Sequence, residues 1–451
     1  MASARTPTAK TPVRTVKQGI PTIAPYYLKI GRVYAITIVY MTPSRRDLLK
    51  ALTAVPAVAA ALAQGESLPP VRRLTRGPRF HWFGYYDKLQ FDPSGRYVLC
   101  MESAFENRTP APDDVITVGM IDLSDGDRWI PLGESRAWCW QQGCMLQWLP
   151  GSSSEVIWND RDGDHYVSHV LDVKTRKRRT LPAPVYALSP DGKWALAPDF
   201  SRLHDWRPGY GYAGVPDRNA GVQVPTTAGI SRLNLQTGKS SLVFPFSEAA
   251  KIPYARASWT GASHWFNHLL FSPDGARFSF LHRWGVRQPN GTVPFTTRLF
   301  TARPDGSDLY VLDPNGDTSH YIWRDPSHIL AWAFHPSRGN KFYLYEDKTD
   351  RVEVVGPEVM TVNGHCTYLP GNRWILNDTY PDKDRLQHPY LYEVASGKRL
   401  PLGHFPLGKE YAGEFRVDTH PRFSPDGRKV TIDSTHEGGG RQLYLIDLPA
   451  L

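Results

Sequence analysis

Cysteine is scarce in this chain: Cys100, Cys139, Cys144 and Cys366 are the four among 451 residues. That excludes a disulfide framework, and the spacing of Cys139 and Cys144 suits neither a zinc knuckle nor a redox pair, so buried or free thiols are expected. Long apolar runs are missing too. No stretch reaches the ~18 residues of a transmembrane helix, which excludes a polytopic membrane protein. Charged residues are 22% of the chain, less than a disordered protein carries. There is no Gly-x-Ser-x-Gly elbow, P-loop or dinucleotide fingerprint. His264 and His268 stand four apart, but in a strand-like lead-in rather than on a helix, so they are not a metalloprotease pair.

What is present is aromatic and turn-rich. The chain has 14 Trp, 22 Tyr, 18 Phe, 37 Gly and 39 Pro, with 41% hydrophobic residues. This points to many short strands around a large core. The net charge of +9 is misleading as a sign of nucleic-acid binding. Nine of the 53 basic residues, but of the 44 acids only Asp47, fall within residues 1–63, so the remainder carries +1. Those first residues read as a leader. Ser44-Arg45-Arg46-Asp47-Leu48-Leu49-Lys50 looks like a twin-arginine export motif. An alanine-rich stretch follows, closing on Ala61-Leu62-Ala63. The expected organisation is a leader over 1–63, of which 1–40 precede an internal Met41, and one domain over 64–451. The expected location is periplasmic or secreted, with no membrane span after cleavage and no nucleic-acid partner.

One phrase repeats seven times: an aromatic or leucine, a turn of Pro, Asp or Gly, then an alternating strand. It starts at Phe91, Trp148, Leu188, Phe271, Trp323, Tyr368 and Phe423, and in several copies reads Ser-Pro-Asp-Gly, as in Phe271-Ser272-Pro273-Asp274-Gly275. Four strands per unit of about 40–55 residues is the signature of a propeller blade. The fold class is therefore all-β, a seven-bladed β-propeller. After Gln442–Asp447 the last unit is one strand short, and Pro70–Thr75 is placed to supply it and close the ring. An insertion over Trp206–Pro225 is expected to form a loop over one face. The Ser-Pro-Asp-Gly repeat resembles TolB-type propellers, where a binding platform is as natural as an enzyme.

The residue three positions before each repeat's first residue is Lys88, Met145, Val185, His268, His320, His365 and His420. With 15 His in 451 residues, four in one register arise by chance about once in a thousand. The first strand of a blade lines the central channel, so four imidazoles are expected near one mouth of the axis. Imidazole suits a divalent transition metal. The second strand runs back to that mouth, and the ends of these strands hold Glu102, Asn159-Asp160-Arg161, Asp199 with Arg202, His282-Arg283, Asn377-Asp378 and Asp433 with His436. Arg207, Tyr210 and Tyr212 of the insertion, and Tyr85, Tyr86, Asp87 and Lys88 of the first unit, complete a cationic, aromatic basin suited to a sugar carboxylate. Asp87, Lys88, Arg283, Tyr210, Tyr212, Asn377 and His436 are the expected substrate contacts.

The stretches 268–284, 319–332, 365–381 and 420–437 are similar to the oligogalacturonate lyases. The resemblance implies a seven-bladed propeller with a histidine-rich manganese site, acting on a uronate-containing oligosaccharide or polysaccharide by β-elimination. The family's metal set is three His and a Gln; here the matching set is His268, His320, His365 and His420, with no Gln in place. The family's base is an Arg from a preceding blade, which by chain order is Arg202 or Arg207. Because a guanidinium holds its proton to beyond about 12, His282 and Tyr86 are the plainer bases. Two other readings stand beside the lyase. One is a metal-dependent glycoside hydrolase using two of Asp199, Asp378 and Asp433. The other is a non-catalytic TolB-like binding propeller.

Overall fold

The structure, a computed structural model, describes residues 68–256 and 259–451; the expected leader over residues 1–63 lies outside the described residues. Seven four-stranded antiparallel sheets form the blades. Blade 1 runs Phe80–Trp82, Tyr97–Ser103, Ile116–Asp122 and Arg128–Ser135, and blade 2 runs Gln147–Trp148, Glu155–Asp162, His165–Asp172 and Arg178–Leu181. Blade 3 is Ala187–Leu188, Trp194–Ala197, Gly229–Asn234 and Ser240–Pro245; blade 4 is Ser263–Phe271, Phe278–Gly285, Phe295–Ala302 and Tyr310–Asp313. Blade 5 is Tyr321–Asp325, His328–His335, Gly339–Glu346 and Val352–Val354; blade 6 is Thr367–Tyr368, Trp374–Asn377, Tyr390–Glu393 and Arg399–Pro401. Blade 7 takes Arg422–Phe423, Lys429–Ser434 and Gln442–Asp447, and its outer strand is Val71–Arg73 from the other end of the chain. Val71 pairs with Ile446 and Arg73 with Tyr444, so the expected closure is observed.

The repeated phrase has a structural cause at each of its residues. In Ser-Pro-Asp-Gly the serine hydroxyl donates to the aspartate two residues on, 2.6 Å for Ser272 and Asp274, and the Gly275 N–H returns to the Ser272 carbonyl at 2.8 Å. Gly275 sits at φ +70°, which glycine adopts without a steric penalty. The aromatic that opens the phrase joins blades. Trp148 Nε1 donates to the Gln90 carbonyl of the preceding blade at 3.0 Å, and Trp323 Nε1 to Ser279 Oγ at 2.9 Å. Each ring buries a large apolar area while its one polar atom is satisfied across the blade interface.

Two departures from the repeat shape the centre. In blade 1 the inner strand leaves the sheet after Trp82 and regains it only at the Phe91–Val98 bridge. The intervening excursion carries Tyr85 and Tyr86 into the channel, where both are buried. Tyr86 reaches across to blade 5: its hydroxyl donates to the Tyr321 carbonyl at 2.9 Å and accepts the Tyr321 N–H at 3.0 Å. The base of the excursion is fixed by blade 7, where Asp433 accepts the N–H groups of Phe83 and Gly84 and pairs with the buried Arg422 at 2.9 Å. In blade 3 the insertion falls between the second and third strands. It starts as helix α1 (Phe200–Trp206), N-capped by Asp199 accepting from the Arg202 N–H at 3.0 Å, and continues as a loop. All four cysteines are buried and free. No helix among the described residues is long and apolar enough to cross a membrane.

Candidate metal centre

Three of the registered histidines, His320, His365 and His420, stand just ahead of the inner strands of blades 5 to 7, whereas His268 lies within the inner strand of blade 4. Two of them, His268 and His420, have left-handed backbone, φ 52° and 40°, as does Met145 in the same register of blade 2. At His268 the pairing with the second strand slips between Asn267 and Leu270. Such a bulge re-aims a side chain that regular pleating would direct elsewhere.

His320, His365 and His420 come together. The ring centroids of His320 and His365 are 4.1 Å apart, and those of His365 and His420 are 4.2 Å apart. Asp418 joins them: its Oδ2 lies 3.9 Å from Nε2 of both His365 and His420. One ligand atom from each of His365, Asp418 and His420 falls within 4.8 Å of the others. All three residues are buried, and His365 Nε2, His420 Nε2 and Asp418 Oδ1 have no hydrogen-bond partner. Three buried, unsatisfied lone-pair atoms would each cost free energy unless something joined them. Two imidazole nitrogens and a carboxylate oxygen suit a divalent transition metal.

The surroundings orient the ligands. His365 Nδ1–H donates to Asp378 Oδ1 at 2.9 Å, which leaves Nε2 as the acceptor turned inward. Asp378 is itself held by the His365 main-chain N–H at 2.7 Å and the Thr419 hydroxyl at 2.5 Å. His320 Nδ1–H donates to Asn363 Oδ1 at 3.0 Å, and its Nε2 is 3.5 Å from the Tyr380 hydroxyl. Burial pushes the His420 imidazole well below its ordinary range, and the charges at His365, Arg422 and Arg416 add to this. The neutral form that results is the ligating form.

His268 differs from the other three. Its Nε2 faces Asp87 Oδ2 at 3.3 Å in an ion pair, without a hydrogen bond on either ring nitrogen, and its ring stacks on Tyr321 at 4.2 Å, so its near neighbour is Asp87 and not the Asp418 of His365 and His420. The side chains of Asp87 and Lys88 are buried and paired at 3.0 Å, with the Lys88 ammonium 4.3 Å from the centre of the Tyr186 ring. Their charges are spent on each other.

Most second-strand ends do not converge on the metal centre, because their side chains are consumed within or between blades. Glu102 faces His81 at 3.2 Å and Asp160 faces His169 at 3.2 Å. Asn159 ties to the Val185 main chain, and Asn377 donates to the Tyr390 hydroxyl at 2.7 Å. His282 shares a 2.9 Å hydrogen bond with His264 and lies 3.4 Å from Arg298, so neither ring nitrogen is open to act as a base. His436 bonds Ser434 at 2.9 Å and packs on Phe405 and Tyr444. Tyr212 is buried, stacks on Phe200 at 4.2 Å and accepts from Asn159. Tyr86 has its hydroxyl committed to Tyr321. Arg202 is the clearest correction. Nε donates to the His264 carbonyl, Nη1 pairs with Asp217 at 2.9 Å, and Nη2 donates to the Val222 and Gln223 carbonyls at 2.9 Å. It clamps the insertion to blade 4 and has no free atom for proton transfer.

Arg207, Tyr210 and Arg283 do form a basin, completed by a residue the repeat did not indicate, Arg416. Arg416 Nε donates to Asp418 at 2.7 Å and Nη2 to the Tyr210 hydroxyl at 3.0 Å. The Arg207 guanidinium lies 4.8 Å from the centres of the Tyr210 and Phe295 rings, and Arg283 lies 4.9 Å from that of Phe295. Burial, with the neighbouring Arg207 charge, lowers the Arg283 guanidinium to about 10. Arg207 and Arg283 have no carboxylate partner among the ion pairs of the described residues, so the basin has an excess of positive charge. Asp418 had a signal in the sequence. In an extended segment alternate residues share a side, which places Arg416, Asp418 and His420 together.

No protein-family model matches the chain, and no curated protein matches it in sequence. Solved structures do match. An oligogalacturonate lyase in complex with manganese superposes with a TM-score of 0.58 at 16% identity, covering 85% of this chain and 96% of its own. An oligogalacturonate lyase from Vibrio parahaemolyticus gives the same TM-score and coverage at 14% identity. The fold is that of the oligogalacturonate lyases. On that oligogalacturonate-lyase fold, the chemistry of this chain is set by its own residues: a His365–Asp418–His420 group fit for a divalent metal, beside a basin of guanidiniums and phenols.

Proposed function

We propose that the protein is a divalent-metal-dependent lyase that cleaves uronate-containing oligosaccharides or polysaccharides by β-elimination, with manganese as the metal. The observation that carries this reading is the three unpartnered ligand atoms of His365, Asp418 and His420 next to three arginines and one counter-charge. Support comes from the fold, shared with oligogalacturonate lyases, one of them a manganese complex.

In this reading His365, Asp418 and His420 hold the metal, with His320 alongside. When bound, the metal supplies positive charge for the substrate carboxylate, which acidifies the adjacent C–H. Arg207 and Arg283 bind anionic groups of the glycan, since each brings several N–H donors and no partner carboxylate. Asp378 fixes the His365 tautomer. Arg416 stays paired with Asp418 and orients Tyr210. The buried position of the site keeps competing water away from the developing charge.

A hydrolase on this scaffold is disfavoured by the fate of its carboxylates. Asp199 caps α1, Asp378 is bound to His365 and Thr419, and Asp433 is paired with Arg422. Two carboxyl groups flanking a scissile bond are therefore not supplied by these residues. The deciding experiment is incubation of the metal-loaded protein with oligogalacturonate, oligomannuronate and oligoglucuronate. A lyase gives a product with the ultraviolet absorbance of a conjugated double bond. New reducing ends without that absorbance select hydrolysis, and no cleavage of any of them contradicts the proposal.

A further inference from the structure

Four phenols surround the metal centre, and their hydroxyls are treated differently. Tyr86 both donates to and accepts from the Tyr321 main chain. Tyr380 is 3.5 Å from His320 Nε2, and burial together with the Asp418 charge drives its phenol far up. Burial likewise drives Tyr85 well above its ordinary value, and the charges of Tyr210 and Asp87 reinforce it. Tyr210 is the exception. Its hydroxyl is held at 3.0 Å by Arg416, and the Arg207 guanidinium lies over its ring.

We propose that Tyr210 is the catalytic base of the elimination, placed by Arg416 beside the carboxylate-bearing carbon of the substrate. The inference rests on the lyase reading above. Its geometry rests on one guanidinium: Arg416 spans from the Tyr210 oxygen to the Asp418 carboxylate, 3.0 and 2.7 Å on its two arms. The planar fork of an arginine separates its ends by only a few ångströms, so the phenol oxygen stands next to the ligand group. A carboxylate drawn to that group brings its α carbon within reach of Tyr210. The arginines themselves are poor bases, since a guanidinium has donors and no acceptor. Here they do the reverse, stabilising a phenolate.

The groups facing the phenol come from five parts of the fold. Arg207 is on its own loop, Arg283 on blade 4, and Arg416 and Asp418 lie ahead of blade 7; Tyr85 comes from the blade 1 excursion and Tyr380 from blade 6. Burial and Asp418 raise the Tyr210 phenol, while Arg416, Arg207 and Arg283 together outweigh them and hold it below its ordinary value.

In the step, the Tyr210 phenolate takes the proton from the carbon bearing the carboxylate. The C–H electron pair becomes the new C=C bond, and the β C–O bond breaks with its pair on the glycosidic oxygen. That oxygen takes the proton from the Tyr210 hydroxyl, which restores the phenolate. No oxidant, reductant or further reactant is needed.

The test compares metal-loaded wild type with Tyr210→Phe on the three uronate oligomers, with metal content and KM measured alongside. The expected result is a kcat lower by roughly 10²–10⁴-fold, with metal content and KM unchanged. Tyr210→Phe activity within about tenfold of wild type overturns the assignment. A wild-type chain that cleaves none of the oligomers overturns the lyase reading itself, and the base with it. A second measurement needs no turnover and covers a variant that folds poorly. Ultraviolet difference titration of wild type is expected to show one phenol ionising below the usual value of about 10. Absence of that step, or its persistence in a folded Tyr210→Phe, overturns the proposal.

Discussion

Asp378 accepts two hydrogen bonds from His365, one from the main-chain N–H at 2.7 Å and one from Nδ1–H at 2.9 Å. The same carboxylate thus fixes where the residue sits and which ring nitrogen faces the centre. Asp378→Asn keeps the size and removes the charge. Outer-shell changes of this kind lower metal affinity by about 10–100-fold. A competition titration with a chromophoric chelator is expected to show that loss, with the thermal midpoint of the metal-free protein little changed.

Arg202 is expected to matter for stability and not for chemistry. It is buried and paired with the buried Asp217. Removing one partner of such a pair leaves an uncompensated charge and costs about 3–5 kcal/mol. Arg202→Met should lower the unfolding midpoint strongly and leave kcat per folded molecule near wild type. A loss of kcat with no loss of stability would return Arg202 to the list of bases.

The His264–His282 pair sets a pH limit on the fold. Burial, with the charges of Arg202 and Arg298, holds His264 at about 4, and burial holds His282 well below its ordinary range. In the unfolded chain both take a proton near 6.5. Folding therefore excludes protons, and the pair's full stability is present above about pH 6.5 and lost progressively toward pH 4. Thermal midpoints over that interval should fall, and His264→Phe should flatten the fall. A flat profile in wild type would mean the pair is not buried neutral.

The ring is closed by three residues. Val71–Arg73 pair with Gln442–Asp447, and the Leu74 N–H adds a bond to the Leu443 carbonyl at 2.9 Å. A chain beginning after Thr75 exposes that edge of blade 7. It is expected to unfold at a lower temperature and to aggregate, as read by calorimetry and light scattering.

The architecture was legible because each blade repeats its turn chemistry. Ser-Pro-Asp-Gly, the aromatic before it and the missing last strand each have a single structural outcome. The histidine register was legible for the same reason, and it brought His320, His365 and His420 together. His268 shared the register but not the destination, because the blade 1 excursion puts Asp87 against it. Gly84, at φ 95°, is the one local mark in residues 83–90, and what holds the excursion lies far off in sequence, in Asp433 and Arg422 of blade 7. The second-strand ends misled for a related reason. Their polar residues look available in sequence, yet Asn159, Asn377 and His282 satisfy main-chain or neighbouring groups that only the folded ring brings near. Tyr210 and Arg416 are about two hundred residues apart, and no periodicity links them.

Metal content of untagged protein tests the central claim most directly. Plasma mass spectrometry on wild type, His420→Ala and His268→Ala is expected to give about one equivalent of a divalent transition metal in wild type and in His268→Ala, and none in His420→Ala. Metal lost from His268→Ala but retained in His420→Ala, or no metal in wild type after supply of manganese, would contradict the His365–Asp418–His420 centre and the lyase built on it.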